Sequence, residues 1–388
     1  MVDRSFFFAG GGTGGHIYPA IAVAEQIAKL SPRSKIHFFC SERPIDAHIL
    51  GQAGFKYTPL PATGLSFRPK QFIRFCRTFG ASYKIARDLI RVQRTAYSVQ
   101  RATKNDTRDT RYEILPVVIG VGGFVAAPVC YAAHRLGVPV KLLNVDITPG
   151  RANRLIARWA DEIFVQFELT GDYLGKAKSK MKVVGCPLRG SFSQPKPQAA
   201  IEELGLKQGR KILLITGASS GAANINETIC SLLGKLDAFS DTWQIVHLTG
   251  KNNFDDVAGR YINARIGHKV LGYYDDMANL LGAADLVIGR SGAVSVAEYA
   301  AAGVPSICMP YPYHKDMHQY LNAGQLVDAG AAVIVDDVPN ATDRAEWLWE
   351  ELQDLMKDDK KRAEMKANCQ AVAKKEAART IAEALIEG

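Results

Sequence analysis

The chain has 388 residues, 47% hydrophobic and 22% charged, a composition that suits a soluble globular protein of two or three domains. Its seven cysteines (Cys40, Cys76, Cys130, Cys186, Cys230, Cys308 and Cys369) form no Cys-x-x-Cys pair, which argues against a disulfide framework or a zinc knuckle and fits a reducing compartment. No basic-then-apolar leader and no uninterrupted run of about 18 apolar residues is present, so neither a signal peptide nor a bilayer span is expected. The net charge of +9 is confined to one segment: Gly64 to Lys104 holds ten Lys and Arg against the single acid Asp88, and the remaining charges balance, 38 of each sign.

Short apolar runs alternate with longer helical stretches, the pattern of an α/β protein with mostly parallel sheets. In the first half the expected strands are 5–9, 35–40, 115–121, 139–145, 162–166 and 181–184. The expected helices are 17–30, 125–136 and 151–160, with a long basic helical region after the second strand that Gly80 should interrupt. Gly185-Cys186-Pro187 and the Pro195/Pro197 pair read as an extended, polar domain junction. The pattern then restarts, with strands at 211–215, 243–248, 269–271, 285–288, 305–309 and 332–335 and helices at 223–234, 293–302 and 315–328. A charged helical tail begins near 342. Two domains are expected, 1–190 and 191–364, with a last helix over about 365–388 packing back on the first.

Two of these strands run into glycine-rich turns. Phe6-Phe7-Phe8-Ala9 leads into Gly10-Gly11-Gly12-Thr13-Gly14-Gly15-His16, and Ile212-Leu213-Leu214-Ile215 into Thr216-Gly217-Ala218-Ser219-Ser220-Gly221. Glycine lets backbone approach a ligand, and the helix behind it offers unpaired N–H groups and a positive dipole end, so each turn suits a diphosphate. Gly10-x-Gly12-x-x-Gly15 matches the dinucleotide fingerprint formally, but that match alone is weak. No Gly-Lys-Ser/Thr follows, so the turn is not a P-loop. A third run, Arg290-Ser291-Gly292-Ala293-Val294-Ser295-Val296-Ala297-Glu298, is a strand end, a small-residue turn and a helix start. Glu298 stands about a turn and a half into that helix, placed either to accept two ribose hydroxyls or simply as an exposed helix residue. His314-Lys315-Asp316-Met317-His318-Gln319 opens one further helix.

Gly-Gly-Thr-Gly-Gly-His, Arg-Ser-Gly-Ala…Glu and His-Lys-Asp-x-x-Gln, in this order, resemble the MurG family of peptidoglycan glycosyltransferases, over essentially the whole chain. The resemblance implies a GT-B fold, two Rossmann-like domains facing across a cleft. It implies inverting transfer of N-acetylglucosamine from UDP-N-acetylglucosamine to the membrane-anchored lipid I, making lipid II, at the cytoplasmic face of the plasma (inner) membrane. Carried over by position, Thr13, Gly14, Gly15, Arg189, Ser219 and Tyr274 would contact the donor. Ala293, Val294, Ser295, Val296, Ala297 and Glu298 would form the diphosphate and ribose site, and Gln319 would reach the sugar. Four positions depart from the family pattern: Leu143 for histidine, Asp146 for asparagine, Phe124 for tyrosine and His318 for glutamine. All four are expected around the acceptor or the sugar.

Loss of a diphosphate builds negative charge that fixed N–H groups at a helix start stabilise. No Asp-x-Asp clamp occurs at a matching strand end, so no metal and no cofactor is expected, and Asp275-Asp276 should cap the following helix. The candidate general bases are His16, because imidazole titrates near neutrality, and Asp146. The alternative role for His16 is only to hydrogen-bond neighbouring backbone and orient its loop. In the basic segment Phe72, Phe75, Phe79, Tyr83 and Ile90 recur at helical spacing beside Arg74 and Arg77. Such a stripe suits either an anionic membrane surface or the core face of a helix. Three rivals are a dehydrogenase, which leaves the Arg290–Glu298 run unexplained, a UDP-sugar epimerase, and a nucleic-acid binder, for which no motif is present. A UDP-sugar transferase acting on a different lipid is a nearer alternative.

Overall fold

The computed structural model describes residues 4–12, 14–66, 68–102, 116–217 and 221–388. They form two compact units, Met1–Arg189 with Glu376–Gly388, and Gly190–Lys375.

The first unit runs β1 (Ser5–Gly10), α1 (Gly14–Leu30), β2 (Lys35–Ser41), α2 (Pro44–Gln52), β3 (Lys56–Leu60), α3 (Pro69–Ala102), β4 (Val117–Gly122), α4 (Gly123–Arg135), β5 (Val140–Asn144), α5 (Arg151–Ile156), β6 (Glu162–Val165) and β7 (Met181–Val183). Its described strands pair in parallel in the order β3-β2-β1-β4-β5-β6-β7. β1 and β4 are buried along their whole length, which is why their sequences read as unbroken apolar runs rather than alternating ones. Pro59 lies in β3, at the sheet edge, where a missing N–H costs no ladder bond. Strand order reverses direction between β1 and β4. That switch point is where an open parallel sheet leaves a crevice beyond its carboxyl ends, and Gly10 and Gly122 end the two strands there.

The second unit runs α6 (Pro197–Glu203), β8 (Lys211–Thr216), α7 (Ala223–Leu236), β9 (Trp243–Leu248), α8 (Phe254–Arg260), β10 (Gly267–Leu271), α9 (Met277–Ala283), β11 (Leu286–Gly289), α10 (Ala293–Ala302), β12 (Ser306–Cys308), α11 (His318–Asp328), β13 (Ala332–Ile334), α12 (Ala341–Lys357) and α13 (Asp359–Val372). Its parallel order is β10-β9-β8-β11-β12-β13, with the switch between β8 and β11. There Thr216-Gly217 and Gly289-Arg290 end their strands. The chain closes with α14 (Ala377–Glu387), which packs on α1 and takes the Arg4 guanidinium on its terminal carbonyls at 3.0 Å (Leu385) and 2.9 Å (Gly388).

Three expectations need correction. The tail helix drawn over about 365–388 is two helices, α13 and α14, separated at 373–376, and only α14 belongs to the first unit. The polar junction is half wrong: Gly185–Leu188 is irregular but buried, and Pro197 begins α6 rather than continuing an extended segment. Proline is at home in that first helical turn. Third, α3 passes through Gly80 without a break. The glycine penalty of about 1 kcal/mol is outweighed by packing, since Ala86 and Ile90 are fully buried and the Tyr83 ring packs, tilted, 5.6 Å from Tyr131 of α4.

Candidate active site

In the first unit, the turn after β1 is built around a carboxylate. Asp46, fully buried in the first turn of α2, accepts from the Gly12 N–H at 2.8 Å, the Ser41 N–H at 3.1 Å and the Ser41 hydroxyl at 2.5 Å. Gly11 must be glycine for contact reasons: a Cβ there would lie 2.4 Å from the Asp46 carboxylate. The loop delivers His16 to the first turn of α1, half-buried, with its ring against Gly122. A Cβ on Gly122 would come within 2.7 Å of His16 Nε2, and its φ of 125° belongs to glycine.

Asp146 follows β5, half-buried. Its carbonyl accepts from Asn144 Nδ2 at 2.6 Å, and Asn144 in turn accepts from Asn153 Nδ2 at 2.9 Å. Burial pushes the His16 imidazole below its ordinary range, and the carboxylates of Asp146 and Asp46 push the other way. The two expected bases are thus electrostatically linked. Arg189 places its guanidinium 4.8 Å from the Tyr18 ring of α1. Gly15 is exposed beside His16 and Gly14 opens α1. Thr13 lies outside the described residues.

In the second unit, Gly292 precedes α10, and a Cβ on it would meet open space. Val294, Ser295, Ala297 and Glu298 are half-buried, whereas Ala293 and Val296 are buried. Val296 faces the core and its N–H is bonded to the Gly292 carbonyl at 3.0 Å, so it presents neither side chain nor amide to a ligand. Ser295 hydrogen-bonds the Tyr299 hydroxyl, which donates to the Arg290 carbonyl at 3.0 Å. The Arg290-Ser291 turn and the α11 motif are joined directly: Ser291 Oγ donates to the Gln319 carbonyl at 2.9 Å and Asn322 Nδ2 to the Ser291 carbonyl at 3.3 Å. Gln319 Oε1 accepts from the Tyr311 N–H at 2.9 Å, which leaves its amide nitrogen as the donor end.

Tyr274 donates to Glu203 of α6 at 2.7 Å, and Asp276 caps α9 by accepting from the Asn279 N–H. The capping role expected for that pair therefore falls to Asp276. α9 packs beside α10. Ser219 lies outside the described residues. Among the described residues no cluster of three or more His, Cys, Asp or Glu could hold a metal ion.

The departures from the family pattern separate. Leu143 is fully buried within β5. Phe124 is 58% exposed, its ring lying over Gly64. His318 stacks on His314 at 4.3 Å and pairs Nδ1 with Asp316 at 2.7 Å. One residue that shapes the first turn, Asp46, carried no signal in the sequence, because it is a lone carboxylate in the mostly apolar run Pro44-Ile45-Asp46-Ala47-His48-Ile49-Leu50.

Two parallel, doubly wound sheets, each with a small-residue turn at its switch point, make a two-domain nucleotide-binding architecture. The glycosyltransferase family 28 N-terminal domain matches residues 6–165 and the family 28 C-terminal domain residues 212–383, and the chain belongs to that family. It is 33% identical over 381 residues to the UDP-N-acetylglucosamine--N-acetylmuramyl-(pentapeptide) pyrophosphoryl-undecaprenol N-acetylglucosamine transferase of Chlorobium limicola, covering 98% of both chains. Its fold is similar to that of the Acinetobacter baumannii MurG crystal structure, with a TM-score of 0.69 at 23% identity over 99% of this chain and 100% of that one. A UDP-GlcNAc 2-epimerase from Neisseria meningitidis bound to UDP-GlcNAc is nearly as similar in fold, TM-score 0.65, but only 14% identical over 99% and 100% of the two chains. Fold alone does not separate transferase from epimerase; sequence relationship does.

Proposed function

We propose that this protein transfers N-acetylglucosamine from UDP-N-acetylglucosamine to lipid I, with inversion, forming lipid II in peptidoglycan synthesis. The observation that carries the reading is full-length similarity to a transferase of that name, on a chain whose two switch points both carry the small-residue turns the donor needs. The donor diphosphate is assigned to the start of α10, where Val294 and Ser295 stand in the first turn, whose amides have no intrahelical acceptor. Glu298 is assigned to the ribose hydroxyls, Gln319 through its amide nitrogen to the sugar, and the backbone at Tyr274 to uracil. Thr13, Gly14, Gly15, Arg189 and Ser219 complete the donor contacts implied by the family.

The acceptor hydroxyl attacks the anomeric carbon as the bond to the β-phosphate oxygen breaks, and a base takes the hydroxyl proton. His16 fills that role in this reading. Burial keeps its imidazole neutral and able to accept a proton at neutral pH, and Asp146 steadies the imidazolium that forms. Fixed amides stabilise the departing UDP without reorganising.

The acceptor is lipid-anchored, and α3 supports a surface for it. Phe72 is 43% and Ile73 53% exposed, next to exposed Arg68, Lys70, Arg74 and Arg77, while Phe75 and Phe79 are half-buried and lead inward to Tyr131. Ile90 of the stripe is core, and the exposure of Phe72 at its start supports a membrane role for that end alone. No helix among the described residues is long and apolar enough to cross a membrane. Peripheral attachment to anionic lipid at the cytoplasmic face of the plasma (inner) membrane is the placement proposed. Nucleic acid is not a proposed partner.

The test is incubation with labelled UDP-N-acetylglucosamine, with and without lipid I. Label moving into lipid only when lipid I is present supports donor, acceptor and reaction together. Conversion of the free sugar nucleotide without lipid overturns the reading in favour of an epimerase.

A further inference from the structure

Gly12 is held on both sides by side chains from a single short stretch of chain. Its N–H donates to Asp46 Oδ2 at 2.8 Å, and its carbonyl accepts from Arg43 Nη1 at 2.5 Å. Arg43 is the residue before α2 and Asp46 lies in that helix's first turn, with Pro44 between them fixing the chain's entry. Asp46 is itself tied to the end of β2 through the Ser41 N–H and hydroxyl. The grip is built from rigid parts: β2 pairs with β1 along five residues, and α2 starts three residues after β2 ends. Gly12 is conformationally permissive, at φ 92°, so a loop this rich in glycine would otherwise sample many states. Four residues beyond Gly12 stands His16.

We propose that Arg43 and Asp46 form a clamp on Gly12 that sets the course of the glycine loop and so positions His16 for proton transfer. They are positioning residues, since neither is placed against substrate. The inference rests on the reading of His16 as the base. The clamp has a charged component as well as a geometric one. The groups acting on His16 are Asp146, after β5, and Asp46, from α2; both favour its protonated form against the effect of burial.

The experiment compares Arg43→Ala, Asp46→Asn, Asp46→Ala and His16→Ala by turnover, donor KM, pH profile and thermal melting. Arg43 is exposed, so Arg43→Ala should melt like the parent yet lose about tenfold in kcat, with donor KM changing less. Asp46→Asn keeps an acceptor for Gly12 but removes the charge, so the acid limb of kcat/KM should move to lower pH. A purely structural carboxylate would lower the melting temperature and leave that limb in place.

Folded Arg43→Ala and Asp46→Asn with parental kcat, or an unmoved acid limb in Asp46→Asn, overturns the clamp. If neither Asp46 variant folds, Arg43→Ala decides alone. The two readings also fail separately. Near-parental turnover in His16→Ala with a slow Arg43→Ala removes the base and leaves the loop clamp. An inactive His16→Ala with both clamp variants unaffected removes the clamp and leaves the base.

Discussion

The Arg290 guanidinium sits 2.7 Å from the Asp337 carboxylate, at side-chain exposures of 10% and 0%. Asp337 also accepts from Asn224 Nδ2 at 2.8 Å and lies 3.7 Å from Arg344, whose second nitrogen reaches Glu227 at 2.6 Å. Arg290 donates onward to the Met309 and Pro310 carbonyls. A buried charge network thus ties the ends of β11 and β12 together beneath the turn that starts α10. Asp337→Ala leaves the buried Arg290 without its carboxylate, while Arg344 keeps Glu227, and should cost about 3–5 kcal/mol of stability, read from urea unfolding. An unchanged midpoint would contradict the network's structural role.

His247 is buried between Tyr261 and Asn226, at 2.9 Å and 3.1 Å. Asn226 Nδ2 donates to the Thr249 carbonyl, so its oxygen faces Nε2–H and the Tyr261 hydroxyl donates to Nδ1. A second proton has no acceptor there, and burial pushes the pKa down to about 3 from 6.5. The unfolded chain therefore binds the proton first as pH falls. The native state should be fully favoured above pH 6.5 and lose up to about 1.4 kcal/mol per pH unit between there and pH 3 from this group. Melting curves of the parent and His247→Gln from pH 7.5 to 4.5 check it; an equal slope in both would refute the assignment.

Tyr274 and Glu203 offer a finer test of the uracil assignment. Burial, and then the neighbouring Glu203 carboxylate, hold the Tyr274 hydroxyl protonated well above the usual phenol range, so it donates across the whole working pH range. Tyr274→Phe removes one hydrogen bond to a charged acceptor, worth about 1.5–3 kcal/mol at most and less at this partly open position. Donor KM should rise several-fold with kcat little changed. A fall in kcat at constant KM would place Tyr274 elsewhere in the reaction.

The α3 surface separates into a lipid end and a core end. Phe72→Asp, or Arg74→Glu with Arg77→Glu, should reduce sedimentation with anionic vesicles while melting is preserved. Ile90→Asp should unfold the protein instead, because it buries an unpaired charge. Equal vesicle binding by parent and Phe72→Asp would rule out α3 as the membrane surface.

Much of the fold is legible in the chain because parallel strands buried on both faces are written as Val, Ile, Leu and Phe runs, and because glycine turns mark their ends. The start of α10 and the turn before it could be read from Arg290 to Glu298 for the same reason. By contrast, α2 and β3 escaped notice: α2 is short and weakly patterned, and β3 carries a proline that only an edge position tolerates. Leu143 looked like an altered substrate contact, but both Leu142 and Leu143 are buried, as strands covered on two faces permit. Val296 looked like part of a ligand-binding run, yet its position on α10 turns it to the core.

What the sequence determined by itself was local: strands, turn chemistry, helix starts and the family whose motifs they spell. Those depend on residue type and spacing over a few neighbours. Tertiary structure alone decided which carboxylates matter, that α3 continues through Gly80, and that Arg43 and Asp46 meet across Gly12. Such outcomes depend on burial and on contacts between segments 30 or more residues apart, where free energy is settled by what surrounds a group rather than by the group itself.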